Sequence, residues 1–403
     1  MARRPGRDLP LEWLDTDPAP ISPPGIEKRP RRPKWTLALG AAGAAVAVAG
    51  ALLSRSAKST NATPAGAPPA VGTTLAPAAP LTRPVQVTTI GRPLLAAPAG
   101  WELVGSGPAE LVRLQLGEGR IIRTQMPSLQ SSGPQYLVAG RDGVIVRPLD
   151  FVPGYLVPDG QPPVPMSPLP QGGPAYPGPD EDHLWVEIDA GQGSGQREMA
   201  LVAFDGTPTG QVVPSPDTFP LAGDGTGFLL FARPDGVYLG RPDGMVQVTT
   251  GALVATGPTR FLTEQCDPTP VCHLVVTDRA TGAVRPLGPY PLLGGGVGGG
   301  GGGGAPPGVV SPDGTTAAVT EYATAGPVLH LIDLRSGRDR AIGGRVADLY
   351  GNPDVMVWTP DSRTLFYVDP LGTLRLVDAA TGQTHTIGVP LPPLFHLIFR
   401  VRA

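Results

Sequence analysis

The chain has 403 residues with 31 basic and 34 acidic side chains, a formal net charge of −3, and 41% hydrophobic residues. That balance offers no basic stripe to a polyanion, which excludes nucleic acid as a partner class, and the length accommodates a sizeable core. The 56 glycines and 52 prolines would argue for disorder if evenly spread, but they gather in the tails and at intervals where strands must turn.

Residues 1–34 are polar and Pro-rich and carry Arg3, Arg4, Arg7, Lys28, Arg29, Arg31, Arg32 and Lys34. They read as a disordered cytoplasmic tail. From Trp35 to Leu53 there is no charge, and at helical rise this run reaches about 28 Å, near the thickness of a bilayer core. It is expected to be a single transmembrane helix. A cleavable signal peptide is the rival reading, because Ala47-Val48-Ala49 resembles a small-residue cleavage site. The length of the run and of its basic lead favours an uncleaved anchor. Basic residues crowd the N-terminal flank, with only Arg55 and Lys58 just beyond the run, so the N-terminus is expected in the cytoplasm and the C-terminal domain outside. Residues 54–84, rich in Ala, Pro and Thr, read as a tether.

A β domain is expected over 85–403. Val85 to Ile90, Glu102 to Val104, Leu111 to Leu116 and Arg120 to Gln125 are apolar or alternating at strand length, with a turn at 117–119. Seven Asp-Gly pairs, beginning at Asp142, Asp159, Asp205, Asp224, Asp235, Asp243 and Asp313, mark hairpin turns because they tolerate positive backbone dihedrals. Phe228 to Ala232, Val237 to Gly240 and Met245 to Thr249 read as a three-stranded meander. The Pro-rich segment Val152 to Pro179 reads as a loop.

Near the C-terminus a unit repeats. Ser311-Pro312-Asp313-Gly314 is followed by Leu331-Ile332-Asp333 with Gly337 and Gly343. Thr359-Pro360-Asp361-Ser362 is followed by Leu376-Val377-Asp378 with Gly382 and Gly388. The Pro-Asp turns lie 48 residues apart and the closing glycines 45 apart, the period of a four-stranded propeller blade. Asp278 to Gly282 with Gly288 is a third copy of the closing half, and Gly223-Asp224-Gly225 a worn copy of the opening. Extrapolated over the domain, the period gives about seven blades. Val319, Leu329, Leu331 and Ile332 are expected to pack against Leu365, Phe366, Leu374 and Leu376 of the next blade, and Leu394 to Val401 to complete the first blade.

The SPDG turn, the apolar strand behind it and the apolar-Asp-x-x-x-Gly turn resemble WD-repeat-like and TolB-like propeller repeats. The resemblance is good over 308–388, partial over 221–288 and absent earlier. The Trp-Asp and Gly-His pairs of true WD repeats are missing. It implies a toroid of four-stranded blades that binds proteins or ligands, and does not imply an activity.

Cys266 and Cys272, the only cysteines, are expected to form a disulfide pinning a hairpin, because an even, close pair in an extracytoplasmic domain reads that way. No metal or cofactor is expected. The glycine run 294–304 lacks the Gly-Lys-Ser/Thr ending of a phosphate loop. The cluster Asp180, Glu181, Asp182 and His183 lacks the ligand spacing of a calcium loop and reads as a solvated turn. His183, His273, His330, His385 and His396 are scattered, and neither His-Glu-x-x-His nor Gly-x-Ser-x-Gly occurs. Groups from separate blades can converge without a linear motif, but the expectation from these residues is a non-enzymatic, membrane-anchored scaffold. It would bind an extracytoplasmic protein or ligand, with a propeller enzyme acting on cell-wall carbohydrate, or a sensor, as the alternative.

Overall fold

The computed structural model describes residues 83–127, 135–148, 154–166, 173–189, 197–215, 219–241, 243–267, 271–289, 308–323, 326–347 and 355–402. The expected tail, the apolar run Trp35 to Leu53, all but the end of the tether, and the glycine run lie outside these residues. Among the described residues no helix is long and apolar enough to cross a membrane.

The regular structure is β-strand, in a propeller-like arrangement of antiparallel meanders. The first sheet holds β1 (Val85–Thr89), β2 (Trp101–Ser106), β3 (Glu110–Gln115), β4 (Arg120–Gln125) and β29 (His396–Val401), in the order β1-β4-β3-β2-β29. Then come β5 (Gln135–Ala139), β6 (Gly143–Pro148), β7 (Tyr155–Pro158) and β8 (Val164–Pro165), paired in chain order. The pattern repeats in β9 (Ala175–Pro177), β10 (His183–Asp189), β11 (Arg197–Ala203) and β12 (Pro208–Ser215), and in β13 (Phe219–Gly223), β14 (Leu229–Arg233), β15 (Gly236–Arg241) and β16 (Gly244–Thr249). An eight-stranded sheet joins two such meanders. One is β17 (Ala252–Thr256), β18 (Arg260–Cys266), β19 (Cys272–Asp278) and β20 (Val284–Pro289); the other is β21 (Gly308–Val310), β22 (Thr316–Ala323), β23 (Gly326–Asp333) and β24 (Asp339–Arg345). They meet at a parallel pair, Ala255↔Gly308 and Thr256↔Val309. The last sheet is β25 (Met356–Trp358), β26 (Thr364–Val368), β27 (Leu374–Asp378) and β28 (Thr384–Thr386).

The Pro-rich segment expected as a loop contains β7, β8 and β9. Its prolines do not prevent this, because Pro158, Pro165 and Pro177 all stand at strand ends, where a missing N–H costs least.

Alternation along each strand sends successive side chains to opposite faces, so each meander contributes to two cores. Val104 and Leu111 pack with Leu137, Val144 and Val146, whereas Leu103 and Leu114 pack with Phe366, Val368 and Leu374 of the last sheet. First and last units therefore share a core, and the ring closes. The same rule corrects the packing expected for the clear repeats. Leu329 and Leu331 do meet Leu365, but Val319 and Ile332 face backward onto Leu262, Leu274 and Val276, and Phe366 and Leu374 face forward.

Closure is covalently distant: β29 pairs with β2 from Trp101↔Val401 to Ser106↔His396. Arg400, on β29, is buried and donates to Glu102 (2.5 Å) and to both oxygens of Asp159 (2.9 and 2.8 Å), in the turn after β7. It also donates to the carbonyl of Gly140 at 3.1 Å. Arg113 of β3 bonds Asp159 and the carbonyl of Val157. Burial alone would push the Asp159 carboxyl up, but the Arg400 hydrogen bonds and the Arg113 charge outweigh it and hold it below the usual carboxylate range. His396, at the other end of β29, accepts the N–H of Gln135 at Nε2 (3.0 Å), and burial lowers its pKa to about 3.

Replacing Arg400 by Met strands the buried Glu102 and is expected to cost about 3–5 kcal/mol in chemical unfolding. A second replacement, Glu102→Gln, should return a large part of that loss; additive costs would show that the pair is not coupled. Because His396 is neutral when folded and takes up a proton on unfolding, stability should fall as pH drops below about 6.5 toward 3. Unfolding midpoints measured across that range should lose this slope in His396→Gln.

Candidate binding site on a blade edge

The repeat-signature residues are built into turns. Ser311 donates to Asp313 Oδ1 (2.7 Å) and accepts the N–H of Thr316 (3.0 Å); Thr359 does the same with Asp361 (2.7 Å) and Thr364 (3.0 Å). Pro312 and Pro360 sit between these partners. Asp278, Asp333 and Asp378 each accept the N–H three residues on through Oδ1, at 3.0, 2.7 and 2.7 Å, and Gly282, Gly337 and Gly382 follow at φ of 68°, 74° and 73°. These are blade geometry. Ser362 stands where the other copy has Gly314, and shares its left-handed backbone, φ 62° against 71°. Its Oγ accepts the N–H of Asp313 on the preceding unit at 3.0 Å.

Sequence reasoning missed the arginines that bridge units. Arg285 donates to the carbonyls of Leu334 and Arg335, and Arg340 to those of Ala379 and Ala380. Each stands three residues after a closing glycine, so a repeated Gly-x-x-Arg was the available signal. Asp224, in the worn opening turn, is fully buried and paired with Arg279 of the next unit.

Asp180 to His183 form an exposed turn in which Asp180 Oδ1 accepts the N–H of Asp182 (2.9 Å) and meets His183 Nδ1 (2.7 Å). Cys266 and Cys272 stand opposite each other at the end of the β18–β19 hairpin, with their sulfurs at bonding distance. Of the scattered histidines, His330 is the one held between two carboxylates. On β23 it pairs with Val319 of β22 and Ala341 of β24, which places Glu321 on one diagonal and Asp339 on the other. His330 Nε2 lies 2.8 Å from Glu321 Oε2, and Nδ1 lies 3.0 Å from Asp339 Oδ2. The imidazole side chain is 10% exposed, the carboxylates 34% and 32%. A neutral ring donates to one carboxylate and an imidazolium to both, so the trio carries one or two net negative charges. It lies at the rim of the core that β21–β24 shares with β17–β20.

No family model matches the chain, and no curated protein matches it either. Among solved structures it is similar to a puromycin-hydrolyzing peptidase of Mycobacterium tuberculosis, at 16% identity and a TM-score of 0.48, over 73% of this chain and 52% of that one. An oligogalacturonate lyase in complex with manganese follows at 13% and 0.45, over 72% and 89%. TolB from Acinetobacter baumannii is matched at 13% and 0.40, over 74% and 66%. The chain thus spans about half the length of the peptidase it matches. The propeller assignment itself stands on the strand pairing. One expectation is corrected here: that of a chain without enzymatic activity. A peptidase and a lyase are among the structures similar to it, and a toroid brings groups from distant strands together without leaving a linear motif.

Ser362→Ala keeps the left-handed strain and loses the inter-unit hydrogen bond, whereas Ser362→Gly loses the bond and relieves the strain. The glycine variant should therefore be more stable than the alanine variant by about 1 kcal/mol in urea unfolding; equal stabilities would remove the strain from the account.

Proposed function

We propose that the chain is a ligand-binding β-propeller presented outside the cytoplasmic membrane by the anchor Trp35 to Leu53, with residues 1–34 inside and 54–84 as the tether. The binding site is the Glu321–His330–Asp339 edge. One observation carries this assignment: Glu321 is one-third exposed and holds His330 through Oε2, while no hydrogen bond among the described residues reaches its other oxygen. An open carboxylate acceptor fixed on a rigid strand suits a ligand rich in hydrogen-bond donors, such as a cell-wall oligosaccharide. The toroid is read as seven-bladed. In support, the eight-stranded sheet divides at its parallel pair into two meanders of the same form as the others. The Cys266–Cys272 disulfide fits an oxidising compartment.

A second reading is favoured by the same trio, because a histidine oriented by one carboxylate and bonded to another is acid–base equipment. On that reading the bound saccharide is also cleaved.

Calorimetric titration of the full-length protein with cell-wall oligosaccharides should give saturable binding that Glu321→Gln weakens at least about tenfold, a loss of about 1.4 kcal/mol. Equal affinity of the two proteins would remove the site from this edge. Appearance of new reducing ends during the titration, lost in His330→Asn, would decide for the enzyme.

A further inference from the structure

The end of the β18–β19 hairpin holds more than a structural crosslink. Cys266 is exposed and Cys272 is buried, 7% accessible, although the two are directly paired across the strands. Two residues before Cys266, and so on the same face of β18, Glu264 is itself only 8% accessible. One of its carboxyl oxygens and the two sulfurs all lie within 4.8 Å of one another. Among the described residues no hydrogen bond or ion pair reaches the Glu264 side chain. A buried carboxyl without a partner is costly to keep ionised, and a structural disulfide has no use for one.

We propose that Cys266–Cys272 is an exchange-active disulfide for small thiols, with Glu264 as the proton donor to the leaving Cys272 sulfur. The burial difference sets the direction. A thiolate from solvent reaches Cys266 Sγ and forms a new S–S bond there. The Cys266–Cys272 bond breaks and its electron pair goes to Cys272 Sγ. A thiolate formed at that buried sulfur lacks solvation, and the nearby carboxylic acid supplies its proton, directly or through one water. A second thiolate then attacks the outer sulfur of the mixed disulfide, releasing the oxidised thiol pair and Cys266, which solvent protonates, as it does Glu264. In sum, two external thiols become one disulfide and the cystine becomes two thiols.

The surroundings support the assignment. Burial pushes the Glu264 carboxyl above the ordinary glutamate range, which favours its acid form beside the sulfurs. On its own hairpin the titratable groups of the same face are the two cysteines and, at the far end, Arg260 and Asp278, which pair with each other at 3.8 Å; His273 is turned to the other face, bonded to Asp267 at 3.3 Å. Strand β17 brings none. The neighbouring meander presents Glu321, His330 and Asp339 on the face that packs against this one, already bonded through the imidazole, and β20 brings Arg285, which donates to the carbonyls of Leu334 and Arg335.

The test is the rate at which a small monothiol, 2-mercaptoethanol, opens the disulfide in the full-length protein, followed by alkylation and mass spectrometry. Divided by thiolate concentration, the wild-type rate should fall with rising pH, above the ordinary glutamate range, as Glu264 ionises. In Glu264→Gln it should be flat and, at the acid end, at least about tenfold slower. Identical rates and profiles would overturn the proposal. A second measurement on the unaltered chain guards against misfolding of the variant. With limiting thiol and acid quench, the adduct should sit on Cys266 and the alkylated thiol should be Cys272. An adduct found mainly on Cys272, or equally on both, would also overturn it.

Discussion

Closure of the ring is the constraint on which the rest depends. Until His396–Val401 pairs with Trp101–Ser106, the first sheet lacks its last neighbour and the core shared by Leu103, Leu114, Phe366 and Val368 has only one wall. Nearly three hundred residues separate the partners, so the loop entropy must be offset by that core and by the pairing itself. The Arg400–Glu102–Asp159–Arg113 cluster sits at this seam. Buried ion pairs seldom add net stability over apolar packing, but they penalise misregistered pairing heavily, because any slip leaves a charge buried alone. The cluster is best understood as fixing the register of the closing strand.

Around the ring, neighbouring units are held by a second, more local device. Arg285 and Arg340 each reach the turn carbonyls of the following unit, and Ser362 binds the backbone of Asp313 on the preceding one. These contacts end on backbone atoms, which any sequence supplies, so the partner turns are free to vary while the arginines are not. The strained Ser362 makes sense in the same terms: glycine would relax the backbone but give up the bridge.

The two proposed sites lie on the facing sides of the same pair of meanders, β17–β20 and β21–β24. Neither belongs to the repeat signature. The Pro-Asp turns and closing glycines are taken up by hydrogen bonds within each turn and to neighbouring units, whereas Glu264 interrupts an apolar face and His330 stands between two carboxylates in the middle of a strand. Both proposals rest on residues that break the repeat's own pattern rather than on those that define it.

The sequence by itself determined the all-β character, most strand positions and the turn chemistry, because alternation, Asp-Gly pairs and positive-dihedral glycines act over a few residues. Its 45–48-residue period identified the blades near the C-terminus, and the spacing of Cys266 and Cys272 placed them on one hairpin. Only the tertiary structure decided which face of each strand meets which neighbour, as the backward-facing Val319 and Ile332 illustrate. It alone placed Arg400 against Glu102 and Asp159, and set Glu264 beside the sulfurs. Glu321, His330 and Asp339 are close in sequence, yet nothing in the linear order announces their diagonal contact, because strand register, set by long-range packing, fixes which side chains share a row. Periodicity is a local property and legible in the chain; the meeting of side chains from paired strands and adjacent blades is a consequence of the closed ring.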